Sequence, residues 1–404
     1  MNILFVHQNF PGQYVHVAPA LARRGHRVVG IHQAGNGLDL AGVERHGYTL
    51  IRGNTPGIHP LAQEFESKII RAEACAQIAI RLRDQGFQPE VIHAHPAWGE
   101  ALYLKDVFPD AKLINYAEFY YRSHGQDMNF DPEFPAQDFT AFARLHTKNT
   151  NLCMALNAMD CGVSPTHWQA QTHPTWAQHK IQVIHDGINT DVAKPNPMAR
   201  IDLPDRQVTI TPGDEVLTFV ARNLEPVRGY HSFMRALPEV LRRRPKVKVF
   251  IVGGDGTSYG SPPPTGSYRQ QYLQEVAEQL DPQRVFLMGK ISYAVYLQLL
   301  QISRCHVYLT YPFVLSWSML EAMSSGALVV GSRTPPVEEF ITHGDNGLLV
   351  DFFAIQDMAD TLCAALEDGN PFAQQRQKAR QTIVEHYDLH RHCLPQQIKL
   401  TEQP

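Results

Sequence analysis

The sequence predicts an α/β protein of two doubly wound domains, each built on a parallel sheet, with a cleft between them. Short runs rich in Val and Ile alternate with helical patterns, which is typical of parallel strands joined by helical crossovers. A proline-rich segment near the middle interrupts this alternation once. The chain has 404 residues, more than one hydrophobic core commonly organises, and this also favours two domains.

The first series of elements predicts an N-terminal domain over residues 1–190. Gly25 and Gly86 mark the ends of the predicted helices VHVAPALARRG and ESKIIRAEACAQIAIRLRDQG. The amino-terminal apolar run covers only about five residues, too short for the core of a signal peptide or for a bilayer span, so it is predicted to be the first strand. The predicted strands are NILFV, HRVVGIH, VIHAH, KLINYA, DCGVS and KIQVIHD.

The second series predicts a C-terminal domain over residues 214–382. The preceding stretch, predicted as a linker over 191–213, is rich in proline and has little periodicity. Helices such as HSFMRALPEVLRRR separate the strands, and ligands bind such folds at the carboxyl ends of the strands. The predicted strands are VLTFVARN, KVKVFIVGG, RVFLMGK, CHVYLTYP, ALVVGS and GLLVDF.

Composition and missing motifs narrow the classes of function. A net charge of -4 gives no basic field that would attract nucleic acid to the whole surface. The six cysteines form no CxxC pair, which favours a reducing compartment and argues against a disulfide scaffold. Neither GxGxxG after the first strand nor GxxxxGK[ST] occurs. His93 and His95 lie two apart on a strand and face the same side, but no third metal ligand stands at a diagnostic spacing.

Two arginines suggest an anion site in the C-terminal domain. Arg222 ends a predicted strand, and Arg228 lies just before a helix, with Gly229 permitting close backbone approach. Together they could bind a diphosphate near a helix amino terminus, although exposed arginines are commonly only solvated charges. The nearby string GGDGTSYGSPPPTGS is predicted to be a flexible surface loop rather than a phosphate cradle, because prolines follow its glycines.

The stretch LTYPFVLSWSMLEAMSSGALVV contains a second helix amino terminus. The strand CHVYLTYP is followed by the turn FVLS and the helix WSMLEAMSSG, which ends at Gly326. Glu321 lies three residues after Ser318, a spacing that fits a capping box and would give this carboxylate a structural role. A role in ligand binding is the alternative, and the spacing alone favours the capping box.

The order of these pieces resembles the family 4 (group 1) retaining glycosyltransferases of the GT-B fold, which has two Rossmann-like domains. The resemblance covers nearly the whole chain, and the matching pieces are the Gly12 turn, SPTHWQ, IHDGIN, ARNLEPVRGY, FLMGKISYAVYLQLLQIS, LSWSMLEAMSSGALVVGS and HGDNGLLV. It also implies that the C-terminal helix, residues 383–404, returns to the N-terminal domain.

The resemblance implies a role for each of these residues. Arg222 and Arg228 would hold the diphosphate of the donor, and Glu321 would bind its ribose in place of capping the helix. Phe313 stands where the family has a glutamate that contacts the transferred sugar, which puts the choice of sugar in question. The other donor-binding residues implied are Gly12, Lys290, Ile291, Ser316, Trp317 and Ser318.

In the N-terminal domain Glu118 stands where family members often carry a sugar-contacting histidine, and His95 is a second candidate for catalysis.

The implied activity is retaining and metal-independent transfer from a nucleotide-diphosphate sugar, such as a UDP- or GDP-sugar, without a cofactor. The acceptor is expected to be a glycan, a lipid-linked sugar or a small molecule, as in polysaccharide biosynthesis. The expected location is the cytoplasm, with contact to the inner membrane face left open. A non-catalytic nucleotide-sugar-binding protein and a sugar-nucleotide epimerase are the alternatives.

Overall fold

The computed structural model describes residues 1–136, 138–203, 208–369 and 371–403. These residues form two compact units, and each contains one parallel sheet as the alternating pattern predicts. The N-terminal unit comprises Met1–Asp186 and the C-terminal segment from His390, and the C-terminal unit comprises Gly187–Leu389. Within the described ranges, no helix combines the length and the apolar character needed to cross a bilayer.

The N-terminal unit is a seven-stranded sheet in the order β3-β2-β1-β4-β5-β6-β7, with every pair parallel. Its strands are β1 (Asn2–Val6), β2 (Arg27–Gln33), β3 (Val43–Tyr48), β4 (Val91–Ala94), β5 (Lys112–Tyr116), β6 (Cys161–Ser164) and β7 (Ile181–Val183). Its first seven helices are α1 (Val17–Arg23), α2 (Gln63–Asp84), α3 (Leu104–Val107), α4 (Phe139–Lys148), α5 (Thr150–Ala158), α6 (His167–Thr172) and α7 (Thr175–Gln178).

Differences in burial explain which of these strands could be predicted from the sequence. Ile3, Leu4, Phe5 and Val6 of β1 are fully buried, as expected of a central parallel strand covered on both faces. The edge strand β3 reads VERHGY and was not predicted, because only its last residue is buried and it lacks an apolar run. Edge strands escape pattern reading since only one side of such a strand is paired and charged side chains are tolerated there.

The C-terminal unit is a six-stranded sheet in the order β12-β11-β10-β13-β14-β15, again entirely parallel. Its strands, with a short antiparallel pair that precedes them, are β8 (Ile201–Leu203), β9 (Val208–Ile210), β10 (Val216–Asn223), β11 (Lys248–Gly254), β12 (Val285–Gly289), β13 (Cys305–Tyr308), β14 (Leu328–Ser332) and β15 (Leu348–Val350). Its helices are α8 (Tyr230–Arg243), α9 (Tyr268–Val276), α10 (Tyr293–Ile302), α11 (Trp317–Ser325), α12 (Pro335–Glu338), α13 (Ile355–Ala365) and α14 (Ala373–His386).

The segment predicted as a linker, 191–213, contains the antiparallel pair β8–β9. Ile201 and Ile210 from this pair are buried in a core cluster of the C-terminal unit. The pattern missed these strands because each is only three residues long. Residues 204–207 of the predicted linker lie outside the described residues.

The predicted return helix, 383–404, is divided between the two units. Its first residues belong to α14, which ends at His386, and the last helix is α15 (Leu394–Glu402). Leu400 of α15 is buried in a cluster of the N-terminal unit with Val91, Ile114 and Val163. The chain therefore returns to the N-terminal unit through α15, while α14 packs on α11 of the C-terminal unit.

Candidate functional site

Helix α11 begins just beyond the carboxyl end of strand β13. Ser316 is its N-cap, and the Ser316 hydroxyl accepts a hydrogen bond from the backbone N–H of Ser318 at 3.4 Å. The capping box between Ser318 and Glu321 is therefore not formed, because the cap lies two residues earlier than that spacing requires. Trp317, the first helical residue, is 42% exposed.

Arg228 is a buried cation that is anchored to the loop leading into α11. Its Nη1 donates to Thr310 Oγ1 at 2.8 Å and to the carbonyl of Val314 at 2.9 Å. Its guanidinium also lies over the Tyr259 ring, 5.0 Å from the centroid. All three contacts come from loops at the carboxyl ends of strands, so they fix the guanidinium at that edge of the sheet.

The phenol of Tyr308 joins this guanidinium to the start of α11. Arg228 Nη1 lies 3.4 Å from Tyr308 Oη, and the backbone N–H of Ser316 donates to the same oxygen at 2.7 Å. A buried positive charge and a helix amino terminus are thus separated by a single side chain. Both favour an anion, and a guanidinium has five N–H donors to share among its partners.

Arg222 is exposed, and both it and Arg228 lie near the carboxylate of Glu225. Glu225 is buried, and its carboxylate accepts from the backbone N–H groups of Ser258 and Tyr259. Burial raises the pKa of Glu225, while those two hydrogen bonds and the charges of Arg228 and Arg222 lower it. The predicted diphosphate pair is therefore one buried anchored arginine and one exposed arginine, both close to Glu225.

The glycine-rich loop after β11, predicted to be flexible, is tied to the end of β10. Besides the two bonds to Glu225, Asn223 Nδ2 donates to Ser258 Oγ at 2.7 Å. The Tyr259 ring of this loop contacts both the guanidinium of Arg228 and the ring of Phe313, and the two ring centroids are 4.9 Å apart. Phe313 is 4% exposed, so its apolar ring is buried against Tyr259.

Glu321 lies one turn into α11 and contacts α10 through both of its oxygens. Oε1 accepts from the Tyr293 hydroxyl and Oε2 from the Tyr296 hydroxyl, each at 2.7 Å. Burial raises the pKa of Glu321, and the two tyrosine hydrogen bonds lower it. Of the other predicted donor residues, Lys290 is exposed and Ile291 is half-buried in the turn before α10.

The N-terminal unit has its own polar cluster at the end of β1. His7 Nδ1 accepts from the backbone N–H of Asn9 at 2.9 Å, so the neutral ring carries its proton on Nε2. That nitrogen is 2.9 Å from Gln13 Oε1, to which it therefore donates. Burial and the neighbouring His95 lower the pKa of His7 to about 3, which keeps the ring neutral at physiological pH.

Glu118 belongs to the same cluster and lies next to both Gln13 and His95. Gln13 Nε2 approaches Glu118 Oε1 at 3.5 Å, and His95 Nε2 lies 3.5 Å from Glu118 Oε2. His95 itself is 1% exposed, whereas the Glu118 side chain is 31% exposed. The two predicted catalytic residues of this unit are thus neighbours, and the glutamate is the more accessible one.

Gly12 lies directly over the ring of His7. Its φ is +51°, and a Cβ at this position would be 2.3 Å from His7 Nε2. The backbone of this turn therefore requires glycine for its contact with His7.

His93 is not part of the cluster around Glu118, because its Nε2 is 3.0 Å from Thr401 Oγ1 and its ring stacks on Phe5.

Several residues of these sites were missed by reasoning from the sequence. Tyr293, Tyr296 and Tyr308 lie in apolar patterns that are typical of core positions, and no motif separates them from ordinary core aromatics. His7 lies directly after the first strand, at the edge where ligands bind such sheets, and that position is the only signal that could have identified it.

Comparison with known proteins agrees with this architecture. Residues 24–193 match the family model described as "Glycosyl transferase family 4 group", and residues 203–382 match "Glycosyl transferases group 1". The D-inositol 3-phosphate glycosyltransferase of Corynebacterium aurimucosum is 28% identical over 192 residues, which are 46% of this chain and 43% of that protein. The alignment therefore spans less than half the length of that relative.

Solved structures resemble the whole chain. HepE of Anabaena, in complex with UDP and glucose, superposes with a TM-score of 0.66 at 18% identity and covers 99% of both chains. The sucrose-phosphate synthase of Thermosynechococcus elongatus gives a TM-score of 0.74 at 16% identity, covering 99% of this chain and 98% of its own. The chain belongs to the family 4, group 1 glycosyltransferases and has the GT-B fold.

Proposed function

We propose that this protein is a retaining glycosyltransferase that transfers a sugar from a nucleotide-diphosphate sugar to a glycan, a lipid-linked sugar or a small molecule. The observation that carries the proposal is the pairing of Arg228 with the amino terminus of α11 through Tyr308. A diphosphate leaving group gains negative charge as the glycosidic bond breaks. A buried guanidinium and backbone N–H groups held at that point stabilise this charge without reorganising.

In this proposal the C-terminal unit binds the donor. Arg228 and Arg222 would contact the diphosphate, together with backbone or hydroxyl donors of Ser316, Trp317 and Ser318. Glu321 would accept hydrogen bonds from the ribose, and Lys290 and Ile291 would line the donor site beside α10. We propose uridine as the base, since the Anabaena structure contains UDP and glucose. Because these groups supply the positive charge, we expect transfer to proceed without a metal ion or a cofactor.

The N-terminal unit would bind the acceptor in this proposal. Glu118 offers a partly exposed carboxylate, with Gln13 3.5 Å from one of its oxygens and His95 3.5 Å from the other to orient it. Such a group can accept a hydrogen bond from an acceptor hydroxyl. For a retaining reaction we propose attack from the face of the departing diphosphate, whose oxygen takes the proton of that hydroxyl.

The first test screens UDP-, GDP-, ADP- and dTDP-sugars for thermal stabilisation. We expect at least one to raise the melting temperature, since a ligand at a hundred times its Kd stabilises the native state by about 2.7 kcal/mol. The donor found in this way should release its nucleoside diphosphate slowly in water, and the freed sugar should keep its anomeric configuration by NMR. Addition of EDTA should leave that rate unchanged.

Two outcomes of this test would lead to another function. Stabilisation without any release or transfer would favour a non-catalytic nucleotide-sugar-binding protein, the alternative to which Phe313 points because it cannot bond a sugar hydroxyl. An epimerised sugar recovered from the donor would indicate an epimerase. If none of the four donor classes stabilised the protein, the proposed function would be wrong.

A further inference from the structure

Two tyrosines on one helix hold the carboxylate of Glu321 from both sides. Tyr293 and Tyr296 are three residues apart on α10, so they share one face of that helix. Each hydroxyl donates to a different oxygen of Glu321 at 2.7 Å. Tyr296 is 9% exposed and Tyr293 is 53% exposed, so one bond lies inside the unit and the other at its surface.

This arrangement leaves the carboxylate of Glu321 with hydrogen-bond acceptor sites that a ligand can use. An ionised carboxylate accepts about four hydrogen bonds, two at each oxygen. One site on each oxygen is occupied by a tyrosine, and the glutamate side chain remains half-buried rather than enclosed. Two acceptor sites on one rigid carboxylate match two hydroxyls on adjacent carbons, which is the chemistry of the ribose 2′ and 3′ positions.

We propose that Tyr293 and Tyr296 are positioning residues that orient Glu321 toward a vicinal diol, and that they thereby make the protein select ribonucleotide donors over 2′-deoxyribonucleotide donors. This inference rests on the proposed function, in which Glu321 binds the ribose. Without the tyrosines the carboxylate could rotate and protonate. The carboxylate of Glu321 would then be a poorly oriented and weaker hydrogen-bond acceptor for the diol.

The experiment measures binding of UDP and 2′-deoxy-UDP by calorimetry, with the ADP and GDP pairs run alongside. For the unmodified protein we expect the ribonucleotide to bind roughly tenfold to a hundredfold more tightly, as for a hydrogen bond to a charged group. For Tyr293→Phe with Tyr296→Phe, that ratio should fall to within about threefold, in the range of a bond to an unoriented acceptor. The affinity for UDP should fall more than the affinity for 2′-deoxy-UDP, because the deoxy ligand has only its 3′ hydroxyl to bond to Glu321.

The 2′-deoxy ligand distinguishes positioning from a purely structural role. If the tyrosines only stabilised the fold, the two affinities would fall by the same factor or not at all, and either result would overturn the inference. Tyr103→Phe, a change in the N-terminal unit, is the matched control and should leave the ratio intact. Glu321→Gln should reduce the ratio with the tyrosines present. If Glu321→Gln alone does so and the Phe variants do not, this inference is wrong while the proposed function stands.

A pH series provides a second readout. Burial raises the pKa of Glu321, and the tyrosine hydrogen bonds lower it by favouring the ionised form. Removing both hydroxyls should raise that pKa further, so UDP affinity in the double variant should decline at a higher pH during acidification than in the unmodified protein. Coincident pH profiles would overturn the inference. Absence of binding to every ribonucleoside diphosphate would overturn both this inference and the proposed function.

Discussion

Replacing Arg228 by alanine is expected to lower kcat/KM for the sugar donor by about a hundredfold to a thousandfold, the cost typical of removing one preorganised donor from a developing anion. The substitution also removes the donor that satisfies Thr310 Oγ1 and the carbonyl of Val314. Both acceptors lie in the loop before α11, so the start of that helix should lose part of its anchoring. We therefore expect a fall in thermal stability as well, from about 1–3 kcal/mol for buried polar groups left unpaired.

The control for this variant is Arg242→Ala in the same unit. Arg242 is highly exposed and pairs only with Glu239 one turn away within the contacts the structure describes. Its removal should leave kcat/KM unchanged, since exposed ion pairs contribute little. Arg228→Lys should recover part of the stability but only a minor part of the rate, because lysine lacks the planar fork. Full activity of Arg228→Ala would contradict the proposed role of this arginine.

Replacing Gly12 by alanine is expected to destabilise the N-terminal unit by about 3 kcal/mol or more. The left-handed backbone alone costs about 1–3 kcal/mol for a residue with a Cβ. Here the Cβ would also lie 2.3 Å from His7 Nε2, and the ring is buried and edge-on to Trp98, so it cannot withdraw easily. Displacing the ring would break its hydrogen bond to Gln13 and release the contact from Gln13 to Glu118.

Gly25→Ala separates the two causes of this loss. Gly25 has a φ of +88°, but no atom lies within 4 Å of the position its Cβ would take. Gly25→Ala should therefore show only the free-energy cost of a left-handed backbone, without a steric clash such as that between the new Cβ and His7 in Gly12→Ala. Urea unfolding of both variants measures the difference, and kcat/KM should fall only for Gly12→Ala. Equal losses of stability in the two variants would show that the contact with His7 is unimportant.

Much of the fold could be predicted because it depends on local patterns. Central strands such as β1 and β10 are apolar runs, and helices such as α1, α2 and α11 end just before glycines that the sequence displays directly. The edge strand β3 and the short pair in 191–213 could not be predicted, since their few buried residues form no recognisable period. Strand order was equally hidden, because it depends on pairing between segments far apart in the chain.

The candidate sites were predicted less completely for a related physical reason. Arg228 could be singled out because it lies at a strand-to-helix turn, and Glu321 because it is a charge within an apolar run. The groups that orient them could not, since Tyr308 and Tyr293 look like core residues until their hydroxyls are placed in space. The spacing of Ser318 and Glu321 suggested a capping box. Ser316 instead caps the helix, two residues earlier, because its hydroxyl accepts the hydrogen bond from the backbone N–H of Ser318.

The most direct test of the central claim is a crystal structure of this protein bound to UDP. We predict that oxygens of its diphosphate lie within about 3.5 Å of the guanidinium nitrogens of Arg228 and of backbone N–H groups at the start of α11. Glu321 should contact the ribose in the same structure. A diphosphate bound elsewhere, with Arg228 keeping only its contacts to Tyr308, Thr310 and Val314, would contradict the claim.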